Sequence, residues 1–253
     1  MPLCYSVPVE SSIHVLQSNI LAAVKTALQY LISGTGMFLS PVAEYTYFFR
    51  SDRYPPRPLR ESENDSSRTD NLPDLEFGWV GAWGTAEQAP PKVQRSIGFN
   101  TLLVQVVQPK SEGAITLVDR DARTPPIVDP NYLSTGSDLE LFRKGIQYGL
   151  DIGQKMMAKD KTMSVSLVPE SMSAESLDDF IRRYATGAYH LSSTCRMAAK
   201  ENDGVVDQNL RVYGVQGLRV ADASIFPRLV CVKPQATIVL VAEKCAEMIL
   251  KGE

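Results

Sequence analysis

Residues 96–107 restrict the fold more than their length suggests, because the stretch Ser-Ile-Gly-Phe-Asn-Thr-Leu-Leu-Val-Gln-Val-Val has apolar groups on both sides. Side chains alternate along an extended chain, so Phe99, Thr101, Leu103 and Gln105 share one side and Leu102, Val104 and Val106 the other. The pattern predicts a strand covered on both faces. A second strand is expected where Leu75, Phe77, Trp79, Gly81 and Trp83 alternate with Glu76, Gly78, Val80 and Ala82. It puts both tryptophans of the chain on one face. Ala114-Ile115-Thr116-Leu117 follows Gly113 as a short partner strand, and the proline-rich residues 125–130 form an extended loop.

Helical spacing accounts for most of the rest. Leu16, Ile20, Val24, Leu28 and Leu31 make one apolar stripe that stops at Gly34-Thr35-Gly36, where glycine frees the backbone to leave the helix. Residues 138–157 carry Leu139, Phe142, Ile146, Leu150 and Met157 on a stripe shared with Gly149 and Gly153, where another backbone could come close. Ser176-Leu177-Asp178-Asp179 has the hydroxyl and carboxylate spacing of a capping box and opens a helix running through Tyr184. Ile238, Val241, Ala242, Cys245, Met248 and Ile249 mark the last helix. Residues 50–71, rich in Arg, Pro, Ser, Asp and Glu and without apolar period, are expected to be a mobile loop or lid.

The chain of 253 residues suffices for one large domain or two small ones. A net charge of −3 without a Lys/Arg block leaves no footprint for nucleic acid or an anionic membrane, so a small molecule or a protein is the expected partner. Cys4, Cys195, Cys231 and Cys245 have no C-x-x-C spacing, and only His14 and His190 are available as histidine ligands, so no metal site is expected. The start lacks the basic and apolar regions of a signal peptide, and the longest apolar run, 238–242, is too short to cross a bilayer. The expected location is therefore cytoplasmic, without membrane association.

The C-terminal third supplies the chemistry. His190-Leu191-Ser192-Ser193-Thr194-Cys195-Arg196-Met197-Ala198, then Val205-Val206-Asp207, then Leu218-Arg219-Val220-Ala221-Asp222-Ala223-Ser224-Ile225-Phe226-Pro227 and the final helix resemble the C-terminal half of the glucose-methanol-choline (GMC) oxidoreductase family. Further upstream, Gly34-Thr35-Gly36 with Glu44 and Phe48, Pro73-Asp74-Leu75, residues 109–113 and residues 126–133 follow in the family's order. The resemblance implies an α+β fold, a mostly antiparallel sheet flanked by helices. Residues 1–188 would be the family's substrate domain, and 189–253 its catalytic histidine loop with a strand and helix remnant of the FAD domain.

In the family an H-x-x-G-T-x-x-M-G stretch carries a histidine that removes the substrate hydroxyl proton while hydride leaves carbon. That role falls to His190, with Ser193 and Ala198 standing where the family has glycines. An imidazole suits the task because its ordinary pKa is about 6.5. Spacing from Phe226-Pro227 to the last helix puts Lys233 where the family usually has a second His or Asn. An ammonium only donates, so Lys233 would clamp a developing oxyanion beside a neutral His190. Asp222, Ala223 and Gln235 match positions where family members touch FAD. Trp79, Trp83 and Phe99 are expected to line an apolar substrate pocket.

The family holds its cofactor mainly by a strand, a G-x-G-x-x-G turn and a helix, whose glycines admit the diphosphate. Here Gly34-Thr35-Gly36 follows a helix and Gly214-Val215-Gln216-Gly217 joins two strands, so neither has that context. The leading expectation is accordingly a non-redox enzyme without cofactor. It would cyclise, isomerise, dehydrate or cleave a small apolar hydroxylated compound, such as a secondary metabolite, by His190 acid/base chemistry. The alternatives are an FAD-dependent oxidoreductase acting on CH-OH donors as part of a split enzyme, and a non-catalytic binding protein. Apolar surface left without its usual cover predicts a homodimer or a covering partner.

Overall fold

Seven strands are found among the described residues, 1–40, 43–55, 71–84 and 97–252 of this computed structural model. They are β1 (Pro2–Pro8), β2 (Ala43–Phe49), β3 (Leu75–Val80), β4 (Ile97–Val106), β5 (Ala114–Thr116), β6 (Ile127–Asp129) and β7 (Ser164–Leu167). Five join in the order β2-β3-β4-β1-β7, every neighbour antiparallel, while β5 and β6 form a ribbon of their own. The helices are α1 (Val15–Ser18), α2 (Ile20–Ser33), α3 (Gly136–Lys159), α4 (Ala174–Tyr184) and α5 (Gln235–Lys251). This is the α+β class expected, with β4 at the centre of the sheet.

The chain divides into two compact units, Met1–Val106 with Leu139–Thr186, and Val107–Asp138 with Gly187–Glu253. Residues 107–138, expected within 1–188, thus lie in the unit of the C-terminal segment. The Asp138 carboxylate accepts from the Lys110 and Ser111 amides at 2.8 Å each and from the Ser111 hydroxyl at 2.5 Å. Gln108 donates to Cys231 Sγ. Burial opposes ionisation of Asp138, but the donors from Ser111 and Lys110 prevail and hold its pKa below the usual carboxylate value.

In the first unit, register decides the faces. Leu75, Phe77 and Trp79 pair with Val106, Val104 and Leu102, and Leu3 and Tyr5 pair with Leu102 and Asn100, so all share one face. Helix α3 lies against it through small residues: a Cβ at Gly149 would sit 2.6 Å from Leu3 Cδ1, and one at Gly153 would overlap Tyr5 Oη. Leu3, Leu75, Val104 and Ile146 are fully buried there. Each such side chain stabilises by about 1.5–3 kcal/mol. Phe49 stacks on Phe77 at 4.8 Å and meets Tyr148 edge-on at 4.9 Å, extending this core to β2. Arg143 binds both oxygens of Asp178 at 2.6 Å and links α3 to α4, which buries Leu177, Phe180 and Ile181.

Several expectations need correction. The first helix is two pieces, because Asn19 is extended (φ −135°, ψ 105°) and its side chain caps the Leu21 and Ala22 amides. Its apolar stripe is poorly covered among the described residues: α2 has no buried residue, and Ile20, Leu21, Leu31 and Ile32 are each more than three-quarters exposed. The cap of α4 is Ser173, whose hydroxyl accepts from the Ser176 amide, rather than Ser176 itself. The proline-rich stretch expected to be a loop supplies β6, and β5 pairs with it instead of with the large sheet. Most of the expected mobile segment, residues 56–70, lies outside the described residues. Its flanks are tied together: Ser51 donates from amide and hydroxyl to Asp74 at 2.7 Å, and Arg53 to Asn71 at 2.5 Å.

The second unit buries Val206, Leu210, Ile225, Phe226 and Cys245, with Ile238 and Val241 of α5 packed against them. Among the described residues no helix is long and apolar enough to cross a membrane.

Candidate functional site

The expected site residues fall in both units: Trp79, Trp83 and Phe99 in the first, His190, Lys233, Asp222, Ala223 and Gln235 in the second. The aromatic trio is not one wall. Trp79 pairs with Leu102 on the α3 face, whereas Phe99, three residues from Leu102 along β4, points to the opposite face. β3 ends at Val80, and the chain then bends, with Ile13 N–H donating to Gly81 O at 2.9 Å and Thr101 Oγ1 to Ala82 O at 2.7 Å. The alternation assumed through Trp83 therefore stops three residues short of it. Trp83 meets Phe99 edge-on at 4.9 Å, and the third member of the cluster is His14, 5.6 Å from Phe99 and also edge-on.

His14 was visible in the sequence only as a count of histidines, since no periodic pattern surrounds it. It is buried; Ser12 Oγ lies 3.1 Å from its Nδ1 and accepts its backbone N–H at 3.2 Å. Burial lowers its pKa, which favours the neutral ring.

His190 sits half-buried in an irregular segment after α4, between two non-glycine residues with left-handed backbone, Tyr189 (φ 59°) and Ser193 (φ 73°). That conformation costs roughly 1–2 kcal/mol per residue and persists where surrounding bonds impose it. Three such bonds are present: Ser193 N–H to Ala223 O at 3.2 Å, Cys195 N–H to Ser224 O at 2.9 Å and Met197 N–H to Ile225 O at 2.8 Å. The histidine segment is thus laid along the 3-10 turn Ala223–Ile225, whose cap is Asp222. Asp222 Oδ1 accepts from the Ser224 amide at 2.8 Å and the Ser224 hydroxyl at 2.5 Å. Ile225 and Phe226 anchor the turn in the core of the unit. Lys233 is exposed, one residue before the Pro234 cap of α5, and Gln235 opens that helix, also exposed.

For FAD the fit is partial. The cap residue of α5, Pro234, makes no side-chain hydrogen bond to the first turn, so the amides there are left for an acceptor from elsewhere. The cradle for the diphosphate is not among the described residues. Gly34 ends α2 with φ 61°, and Gly214 and Gly217 turn with φ 80° and 73°, so none of them joins a strand to a helix.

The sequence profile of the GMC oxidoreductase family matches residues 109–242, the region that holds this turn, ladder and histidine. The chain belongs to the GMC oxidoreductase family. It is similar to dehydrogenase pkfF of Emericella nidulans, 34% identical over 212 residues, covering 79% of this chain and 34% of that protein. It is also similar to choline oxidase of Arthrobacter globiformis, 38% identical over 156 residues, covering 60% of this chain and 28% of that protein. A solved variant of formate oxidase from Aspergillus oryzae RIB40 superposes with a TM-score of 0.82 at 24% identity, covering 100% of this chain and 46% of the other; at that identity the likeness concerns the fold alone. The chain spans about a third of the length of these curated relatives.

Proposed function

We propose that this chain is the proton-handling part of a flavin-dependent oxidoreductase acting on CH-OH donors. The observation that carries the reading is the placement of His190 on a segment hydrogen-bonded along the Ala223–Ile225 turn, in the stretch that matches the family's catalytic motif. The relatives' names, a choline oxidase and a dehydrogenase, favour redox chemistry over the cofactor-free cyclisation or isomerisation expected from the chain alone. FAD, held by the flavin-binding part of the fold, would supply the hydride acceptor. His190 accepts the hydroxyl proton, a step for which a positioned imidazole contributes about a hundredfold to ten-thousandfold. Lys233 donates to the oxygen as charge develops on it. Asp222, Ala223 and Gln235 form the chain's share of the flavin wall.

A flavin-binding part would also cover apolar side chains that α2 and α5 expose, among them Ile20, Leu31, Leu240 and Leu250. Without it a second copy of the chain takes that place, and light scattering reads a dimer. The test of the activity is anaerobic addition of alcohols to the chain assembled with a flavin-binding partner. Bleaching of the flavin's visible absorbance, lost in His190→Ala, is the expected result; a bound flavin that no alcohol bleaches overturns the reading. One residue favours a second reading, non-redox proton transfer: Lys233, a donor where relatives of the motif accept as well. Turnover of a hydroxylated substrate by the chain without FAD would select it.

A further inference from the structure

We infer that Asp222 and Ser224 are positioning residues for His190, acting through the 3-10 turn, a role separate from the place of Asp222 on the proposed flavin wall; the functional meaning of that positioning rests on the reading of His190 as the base. Ser224 is the middle rung of the ladder. Its carbonyl accepts from the Cys195 amide at 2.9 Å, its amide donates to Asp222 Oδ1 at 2.8 Å, and its hydroxyl donates to the same oxygen at 2.5 Å. Two further bonds tighten the turn, Ile225 N–H to Asp222 O at 3.3 Å and Phe226 N–H to Ala223 O at 3.2 Å.

The geometry of the ladder gives this cap its reach. Ser193, Cys195 and Met197 donate from every second residue, while Ala223, Ser224 and Ile225 accept from consecutive ones. An extended segment advances about 3.3 Å per residue and a 3-10 turn about 2 Å. The two spacings are brought together only while the turn keeps its local shape and the segment its bend. The bend is at Ser193, whose left-handed backbone is unfavourable for a residue with a Cβ. Release of the cap would let the turn relax toward the extended conformation that Asp222 already has (φ −138°, ψ −169°), remove the central acceptor from the ladder and allow Ser193 to return to ordinary backbone angles. His190, three residues before Ser193, would move with it. The core would not, since Ile225 and Phe226 are held by their own burial.

The charge of Asp222 has no part in this role; an acceptor oxygen suffices, and asparagine is as good a cap as aspartate. That separates positioning from an electrostatic contact with a cofactor. The chain contains only two histidines, His14 and His190, so their ring signals are resolved in a nuclear magnetic resonance titration of the chain with labelled histidine. Ser224→Ala and Asp222→Ala are expected to move the His190 signal and its titration midpoint, and to speed exchange of the Cys195 amide about fivefold or more. The His14 signal is expected to stay in place. Asp222→Asn is expected to restore the wild-type His190 signal and the slow exchange. A His190 signal unchanged across pH in both alanine variants, or one that Asp222→Asn displaces as far as Asp222→Ala does, overturns the inference. Should the alanine variants not fold, Asp222→Gly, which lacks the acceptor oxygen but is better tolerated at a cap, is expected to displace the His190 signal while Asp222→Asn keeps it; equal signals in the two overturn the inference. If the wild-type assembly oxidises no alcohol while the His190 signal follows these variants as stated, it is the proposed activity that fails and not the positioning.

Discussion

The two units hold their shapes by different means. In the first, side chains repeat: every second residue of β1, β3 and β4 faces α3, and a glycine on every fourth residue of α3, at 145, 149 and 153, admits the sheet. In the second, five buried residues come from positions 206, 210, 225, 226 and 245 without any common period, and short bridges such as Met197 with Val206 replace long ladders. All six described non-glycine residues with positive φ, Asn131, Leu133, Tyr189, Ser193, Asp203 and Leu210, belong to the second unit. Among the described residues, left-handed backbone without glycine is therefore collected in the unit that carries His190.

That contrast can be broken by substitution. His190→Ala has the largest expected effect: flavin reduction by alcohol in the assembled enzyme falls about a hundredfold to ten-thousandfold, with the melting temperature unchanged. Rates near wild type would place the chemistry elsewhere. Next comes acidity, which acts through the first unit. Burial lowers the pKa of His14, so the folded state binds fewer protons than the unfolded chain around and below the ordinary 6.5. The stability this group contributes is complete above that value and declines as pH falls through it. Urea midpoints measured from about pH 8 down to about pH 5 read the decline.

The two smaller effects have opposite signs. Gly153→Ala drives a methyl into Tyr5 Oη and should destabilise by about 1–3 kcal/mol, seen as a lower melting temperature. Ser193→Gly removes a strained Cβ contact in the second unit and should stabilise by about 1 kcal/mol in urea unfolding. A destabilising Ser193→Gly would mean that the histidine segment is not under the strain described.

The same difference explains what was legible in the sequence. Period-two alternation gave β4 with both faces covered, and the 3.6-residue period gave α3 with Gly149 and Gly153 at the sheet. It failed where a local bond outranked it. The bend after Val80 ended β3 before Trp83, and the Asn19 side chain split the first helix. The His190 region was legible by motif alone. Nothing in the pattern of apolar residues announces that Ser224 holds the histidine segment, because it does so by one backbone bond, accepted from Cys195 29 residues earlier, and by two local bonds to Asp222.

Strand order has a consequence for synthesis. β1 is made before both of its neighbours, and its Tyr5 is opposite Asn100 of β4 and Val165 of β7. Closing loops of that length is entropically slow. β1 must thus wait for both partners, and its apolar residues Leu3, Tyr5 and Val7 are without their cover until β4 and β7 have been made.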